Sequence, residues 1–174
     1  LGGPTYFIRN AMYNLVHAAF KLKRNSIGDV VLHNTVVKIG AGLGGNSDMD
    51  YAYFRNNLAF GGPNGGVNWG GYGAGNPYAA DIREPGNHSS FDYDAVGSLD
   101  DHYVAKMGGI AFLDVEANGI GELDFNSTFN GVSFPYNPVP AKEMPDLSLN
   151  SNSEVIDQAV RIHNINDYFK GNSP

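Results

Sequence analysis

The sequence predicts an all-β fold, a parallel β-solenoid carrying long irregular loops. Three observations predict it. An apolar residue, a polar residue and an asparagine recur at Ile8-Arg9-Asn10, Leu32-His33-Asn34 and Phe54-Arg55-Asn56. The asparagines stand 24 and 22 residues apart, the length of chain that completes one turn of a stacked parallel coil. Strand-forming residues flank every match, Tyr6-Phe7, Val30-Val31, Val36-Val37, Leu58 and Phe60 among them.

The repeat has a physical rationale. In a parallel stack each position lies about 4.8 Å over its counterpart in the next strand, so chemistry that suits one coil suits the next. Asparagine tolerates bend dihedrals and hydrogen-bonds local backbone. Stacked on itself it forms an amide ladder. A strand alternates its faces; with Ile8, Leu32 and Phe54 inward, Arg9, His33 and Arg55 form one outward column. On the return strand, Phe20 and Leu22 inward place Lys21 and Lys23 outward.

The remaining chain divides by composition within a single domain spanning 1–174. Regular coils are expected over 1–60, with Gly40 to Asp50 as a flexible loop ending in carboxylates. Residues 61–90 form a loop rich in glycine and aromatics, with Trp69 and Tyr72 on a support too rich in Gly for regular structure. Irregular coils and a connector with Pro135, Pro138, Pro140 and Pro145 fill 91–145, and 146–174 closes the fold. Within 91–134, Phe91 to Asp94 alternates as a strand does, and 110–125 reads as two strands or as a short helix and a strand. Neither end reads as a natural terminus, so the chain is expected to be a fragment of a longer one.

Composition narrows the class. With 42% apolar and 12% aromatic residues a core is available, and 23 glycines imply many turns. No apolar run reaches the roughly 18 to 20 residues of a membrane-spanning helix. No cysteine is present, which removes disulfides and thiol chemistry. The net charge of −7 is unevenly placed: residues 61–174 carry 15 acids and five bases, whereas 1–60 hold six bases and three acids. Neither a basic surface nor a motif for nucleic acid is present.

The tail then supplies a resemblance. Asp146-Leu147-Ser148-Leu149, Asn152-Ser153-Glu154-Val155-Ile156-Asp157 and Asn164-Ile165-Asn166-Asp167-Tyr168-Phe169-Lys170-Gly171, together with the front coils, resemble secreted bacterial right-handed parallel β-helix proteins. In these a pattern like D-L-x-L, S-P-A-I-D-x-G and N-D-x-x-G closes the helix. This chain departs in Glu154-Val155 where Pro-Ala is common and in Gln158-Ala159 where Ala-Gly is common. The resemblance implies a secreted or cell-surface bacterial protein associated with acidic polysaccharides, as a lyase, a hydrolase, an epimerase or an adhesin. It supplies no catalytic motif residue by residue, and fold alone does not assign function.

Candidate sites follow from charge and spacing. The column Arg9, His33, Arg55, with Lys21 and Lys23 beside it and Trp69 and Tyr72 nearby, is the expected glycan contact, because arginine pairs carboxylates through two donors. His33 between two arginines would be held neutral, as a base for uronate β-elimination requires. Asn46, Asp48 and Asp50 alternate and could offer oxygens to calcium, the one cofactor the sequence suggests. Asp114, Glu116, Glu122 and Asp124 are available as carboxylates. The alternative to an acidic-polysaccharide partner is a non-catalytic extracellular solenoid that self-associates through its ends or edges.

Overall fold

The structure is a computed structural model. It describes residues 4–13, 19–20, 22, 26–39, 41–45, 49–61, 78–82, 88–98, 104–107, 110–130, 146–163 and 165. Strands dominate: β1 (Tyr6–Ile8), β2 (Ala11–Tyr13), β3 (Ser26–Ile27), β4 (Val30–Leu32), β5 (Thr35–Ile39), β6 (Ala41–Gly45), β7 (Met49–Asp50) and β8 (Tyr53–Arg55) come first. Then follow β9 (Leu58–Gly61), β10 (Tyr78–Ile82), β11 (Ser90–Asp92), β12 (Ala95–Ser98), β13 (Val104–Met107) and β14 (Ile110–Ala111). Two four-residue helices, α1 (Phe112–Val115) and α2 (Phe125–Thr128), flank β15 (Ile120–Asp124).

The strands form mostly parallel sheets, ordered β1-β4-β8-β11, β2-β5-β9-β12-β15 and β6-β10-β13-β14, with a small β3-β7 pair. Among the described strands only β13 and β14 pair antiparallel. Each pass of the chain lays a strand on the first sheet, turns a corner, and lays the next strand on the second. Ala41–Gly45 and Met49–Asp50, within the stretch whose glycines predict a loop, are strands instead. Pairing with β10 and β3 supplies what local propensity lacks.

The corners between the first two sheets set the register. Arg9, His33, Asn56 and Tyr93 all take left-handed dihedrals, with φ of 55°, 54°, 59° and 60°. The residue after each one projects its side chain into the stack. Asn10 donates its backbone N–H and Nδ2 to Asn34 Oδ1, at 3.0 and 2.9 Å. Asn34 donates likewise to Asn57 Oδ1, at 3.1 and 2.9 Å. Asn57 donates to Asp94 Oδ1, both at 2.8 Å. The second proton of each amide reaches back one tier, from Asn34 to Phe7 O and from Asn57 to Val31 O.

The expected ladder is therefore present with one correction. Its third rung is Asn57, not Asn56. The Cα partners run Leu32 to Arg55 and Val31 to Phe54, so the third tier lies 23 residues after the second. Two asparagines in a row made the alignment ambiguous, and packing resolves it. The inward column is Phe7, Val31, Phe54 and Phe91, not Ile8, Leu32 and Phe54; Val31 and Phe54 are wholly buried, and Phe54 meets Phe91 with ring centroids 5.0 Å apart. A slip of one residue would turn every side chain of the strand to the other face. Phe20 and Leu22 are buried in this core as expected.

The second sheet is covered on both faces. Val36, Ala59 and Val96 join the interior cluster, while Val37, Phe60 and Leu123 face Phe125, Phe129, Leu147 and Val155 on the other side. Gly97 lies between Phe60 and Leu123 in register, where an added Cβ would collide with the Leu123 carbonyl and the Phe60 ring. The tail completes this layer, bridging Phe129 to Leu149. Among the described residues no helix is long and apolar enough to cross a membrane.

Asn57→Ala strands the buried Asn34 N–H and Val31 carbonyl and should cost roughly 2–4 kcal/mol. Asn56→Gly keeps the left-handed corner at no steric cost but gives up two part-buried hydrogen bonds to Val160, and should cost roughly 1–2 kcal/mol, less than Asn57→Ala. Urea denaturation of the two variants checks which asparagine is the rung.

Candidate functional site

The corner column is not a free surface. Arg9 and His33 stand in it as expected, but Asn56 takes the place assigned to Arg55, which lies instead in register with Leu32 and Asp92. The tail runs across this column. Val160 pairs with the Asn56 amide, Asn56 Nδ2 donating to Val160 O and Val160 N to Asn56 Oδ1, both at 2.8 Å. Arg9 Nη2 donates to Ile165 O at 2.6 Å. Between them, His33 Nε2 meets Asn56 Nδ2 at 3.3 Å. The three-residue cationic row is thus broken by register and crossed by the chain's own backbone.

Arg55 belongs to a different group. It projects from the outward face of the first sheet, where Tyr6, Val30, Tyr53 and Ser90 share one register column and Ile8, Leu32, Arg55 and Asp92 the next. The guanidinium carbon lies 4.4 Å from the Tyr53 ring centroid, a cation–π contact. Nη1 donates to Phe54 O and Ser90 O, at 2.6 and 3.0 Å, and Nη2 donates to Ser90 Oγ at 2.6 Å. Three bonds leave two of the five guanidinium N–H groups without a partner among the described residues. Asp92, beside it, has its pKa lowered: partial burial pushes it up, but two hydrogen bonds from Asn118 and the Arg55 charge outweigh that.

At the corner preceding β8, Tyr51 takes a left-handed φ of 58° and stacks on His88, itself at 61°, with centroids 4.8 Å apart. Tyr51 is 58% exposed and Tyr53 36%. A tyrosine in the left-handed region is strained, and in-register stacking on His88 offsets part of that cost. Tyr51 with His88 and Tyr53 with Arg55 therefore form two aromatic pairs at the start of β8, in which the tyrosines and His88 are exposed and Arg55 is half-buried. Sequence reasoning named only Arg55 of the four. Tyr51 and Tyr53 alternate around Ala52, which is a readable signal; His88 is remote in sequence and becomes a neighbour only through stacking.

The ladder ends in acids. Asp94 accepts from Asn57, and its own N–H donates to Glu116 Oε2 at 3.1 Å. Both side chains are buried, and Asp94 Oδ2 and Glu116 Oε1 have no partner among the described groups. Burial pushes both carboxyls well above their ordinary range, and at Glu116 the neighbouring Asp94 charge adds to it. Burial thus favours the protonated form of the pair. Glu116 is one of the four carboxylates the sequence offers for catalysis; sealed from solvent, it acts as the terminal acceptor of the ladder. Asp114, Glu122 and Asp124 lie in α1 and β15, Glu122 with a left-handed φ of 59°. Asp124 caps α2, accepting from Ser127 N at 2.8 Å.

Lys21, Lys23, Trp69, Tyr72, Asn46 and Asp48 lie outside the described residues. Asp50, the remaining calcium candidate, ends β7, and its backbone carbonyl accepts from Gly28 N at 2.9 Å. Among the described residues no three metal-binding side chains come together.

Because the folded pKa values of Asp94 and Glu116 are raised, their contribution to stability is complete at acid pH and is lost as pH climbs through those raised values. Denaturation midpoints of the wild type should fall as the pH moves from mildly acidic to alkaline. Glu116→Gln retains a neutral acceptor and donor, and its midpoint should fall less steeply over the same range. Parallel slopes would show that the pair is ionised throughout.

No family model, curated protein or solved structure matches this chain.

Proposed function

We propose that the chain forms part of a right-handed parallel β-helix of a secreted bacterial protein, and that it binds an acidic polysaccharide on the outward face of its first sheet. Two aromatic pairs at the start of β8, Tyr51 stacked on His88 and Tyr53 against the Arg55 guanidinium, carry this reading. Tyrosine offers a flat apolar ring with a polar tip, which suits the alternating C–H and hydroxyl surface of a sugar. The open donors of Arg55 suit a uronate carboxylate. Tyr6 is 63% exposed and lies two strand spacings from Tyr53, about 10 Å along the stack, so the face can meet a polymer at more than one residue. The reading is one of binding rather than cleavage, since the buried acid pair is out of a polymer's reach and His33 lies under the tail.

The function is tested by affinity electrophoresis through gels containing pectate, alginate or a neutral glucan. The wild type should be retarded by the acidic polymers. Tyr51→Ala with Tyr53→Ala should abolish most of the retardation while leaving the thermal unfolding midpoint within a few degrees, since both rings are exposed. Equal mobility of wild type and variant in every gel would overturn the reading.

A second reading, a structural element that associates through its ends, is favoured by one observation: β1 and β2 are edge strands whose outer sides are unpaired among the described residues.

A further inference from the structure

The corner before β8 belongs to a column of its own. Register places Pro4, Gly28, Tyr51 and His88 in successive tiers, since Tyr6 pairs with Val30, Val30 with Tyr53 and Tyr53 with Ser90. Gly28, Tyr51 and His88 share the left-handed conformation, with φ of 77°, 58° and 61°. Two residues on, Tyr6, Val30, Tyr53 and Ser90 form the next outward column. The second tier thus carries the bare Gly28 in one column and the short side chain of Val30 in the other, each between larger neighbours.

Both third-tier tyrosines are covered on one side and open on the other. His88 stacks on Tyr51 from the fourth tier. The Arg55 guanidinium lies over Tyr53 while bonding to Ser90, which puts it on the fourth-tier side of that ring. The opposite faces turn toward Gly28 and Val30. Among the described residues, an added Cβ at Gly28 would meet only Pro4 within 4 Å, its Cβ at 3.5 and its Cα at 3.9 Å, and no atom of Tyr51. Pro4, Tyr6, Tyr51 and Tyr53 are exposed and Gly28 and Val30 half-buried, so solvent reaches the second tier between these walls.

We propose, resting on the glycan reading above, that the second tier floors a groove one sugar ring wide, in which the acidic polysaccharide lies across the stack along Gly28 and β4. Pro4 and Tyr6 form one wall and Tyr51 and Tyr53 the other. Gly28 is the residue that admits the sugar. The walls stand two strand spacings apart, about 10 Å. Carbon atoms in contact lie about 3.5–4.0 Å apart, so a flat ring between two walls fills roughly 7–8 Å. A puckered pyranose projects atoms above and below its mean plane and takes up the remainder, presenting C–H groups to the open tyrosine faces. The Arg55 guanidinium behind the Tyr53 wall supplies the positive charge that matches a uronate at the rim.

Filling the floor distinguishes this path from one along the stack. Gly28→Tyr extends the pile of Tyr51 and His88 into the groove, on a backbone conformation that Tyr51 itself holds. Val30→Tyr does the same from a strand position, where tyrosine is favoured. For a polymer lying across the tiers both substitutions are obstructions, and affinity for pectate in the gel should fall about tenfold or more, with melting midpoints within a few degrees of the wild type. For a polymer running along the tiers they are added platforms and would tighten binding. Unchanged or tighter binding by either folded variant overturns the groove and leaves the glycan reading standing. A wild type that no acidic polymer retards overturns both.

Discussion

One row of amides governs this protein. The Asn10-Asn34-Asn57-Asp94 ladder ties each corner to the next through both a backbone N–H and a side-chain N–H. Buried polar groups of this kind are expensive to leave unpaired, so each rung holds its neighbour in a single vertical register. That register in turn decides which residues line the interior. Phe7, Val31, Phe54 and Phe91 stack because the rung three residues later does. The preceding residue takes the left-handed corner because only that bend aims the amide inward, and four different side chains, Arg9, His33, Asn56 and Tyr93, accept the strain.

The change from amide to carboxyl along the row marks where it stops. An asparagine passes a donor onward and accepts one from behind; a carboxylate only accepts. Asp94 and Glu116 therefore close the sequence of bonds. Around Glu116 and beyond it the architecture changes to two short helices and an antiparallel bridge. The tail then returns over the outer face of the second sheet and across the corner column. It buries a sheet face that would otherwise expose Val37, Phe60 and Leu123, and it occupies the polar groups of Asn56 and Arg9. A row of residues that resembles a ligand surface in the sequence is in this way used as an internal contact.

The candidate binding face was partly legible beforehand. Strand alternation predicts Arg55 as an outward cation; its face is the predicted one and its column is not. The error has a simple source, because Asn56 and Asn57 are adjacent and an apolar-x-Asn pattern fits the first as well as the second. A spacing of Phe-x-x-Asn or Asp at Phe7, Phe54 and Phe91 carries the true register, and Val31 joins it. The Tyr51 and His88 stack had no such signal. These residues are 37 positions apart, a longer interval than the first tiers predict.

What the sequence determined by itself is the class of fold and its principal bond: strand-forming residues around asparagines at near-constant intervals lead to parallel strands and an amide ladder, because both consequences are local and repeat with the period. What only the tertiary structure decided is the register of the third tier, the fate of the outward column and the composition of the exposed face. Those depend on which of two adjacent amides lies over Asn34 and on where a distant tail comes to rest. Both are settled by the packing of Phe54 on Phe91 and by hydrogen bonds between residues about a hundred or more positions apart, which no local pattern encodes.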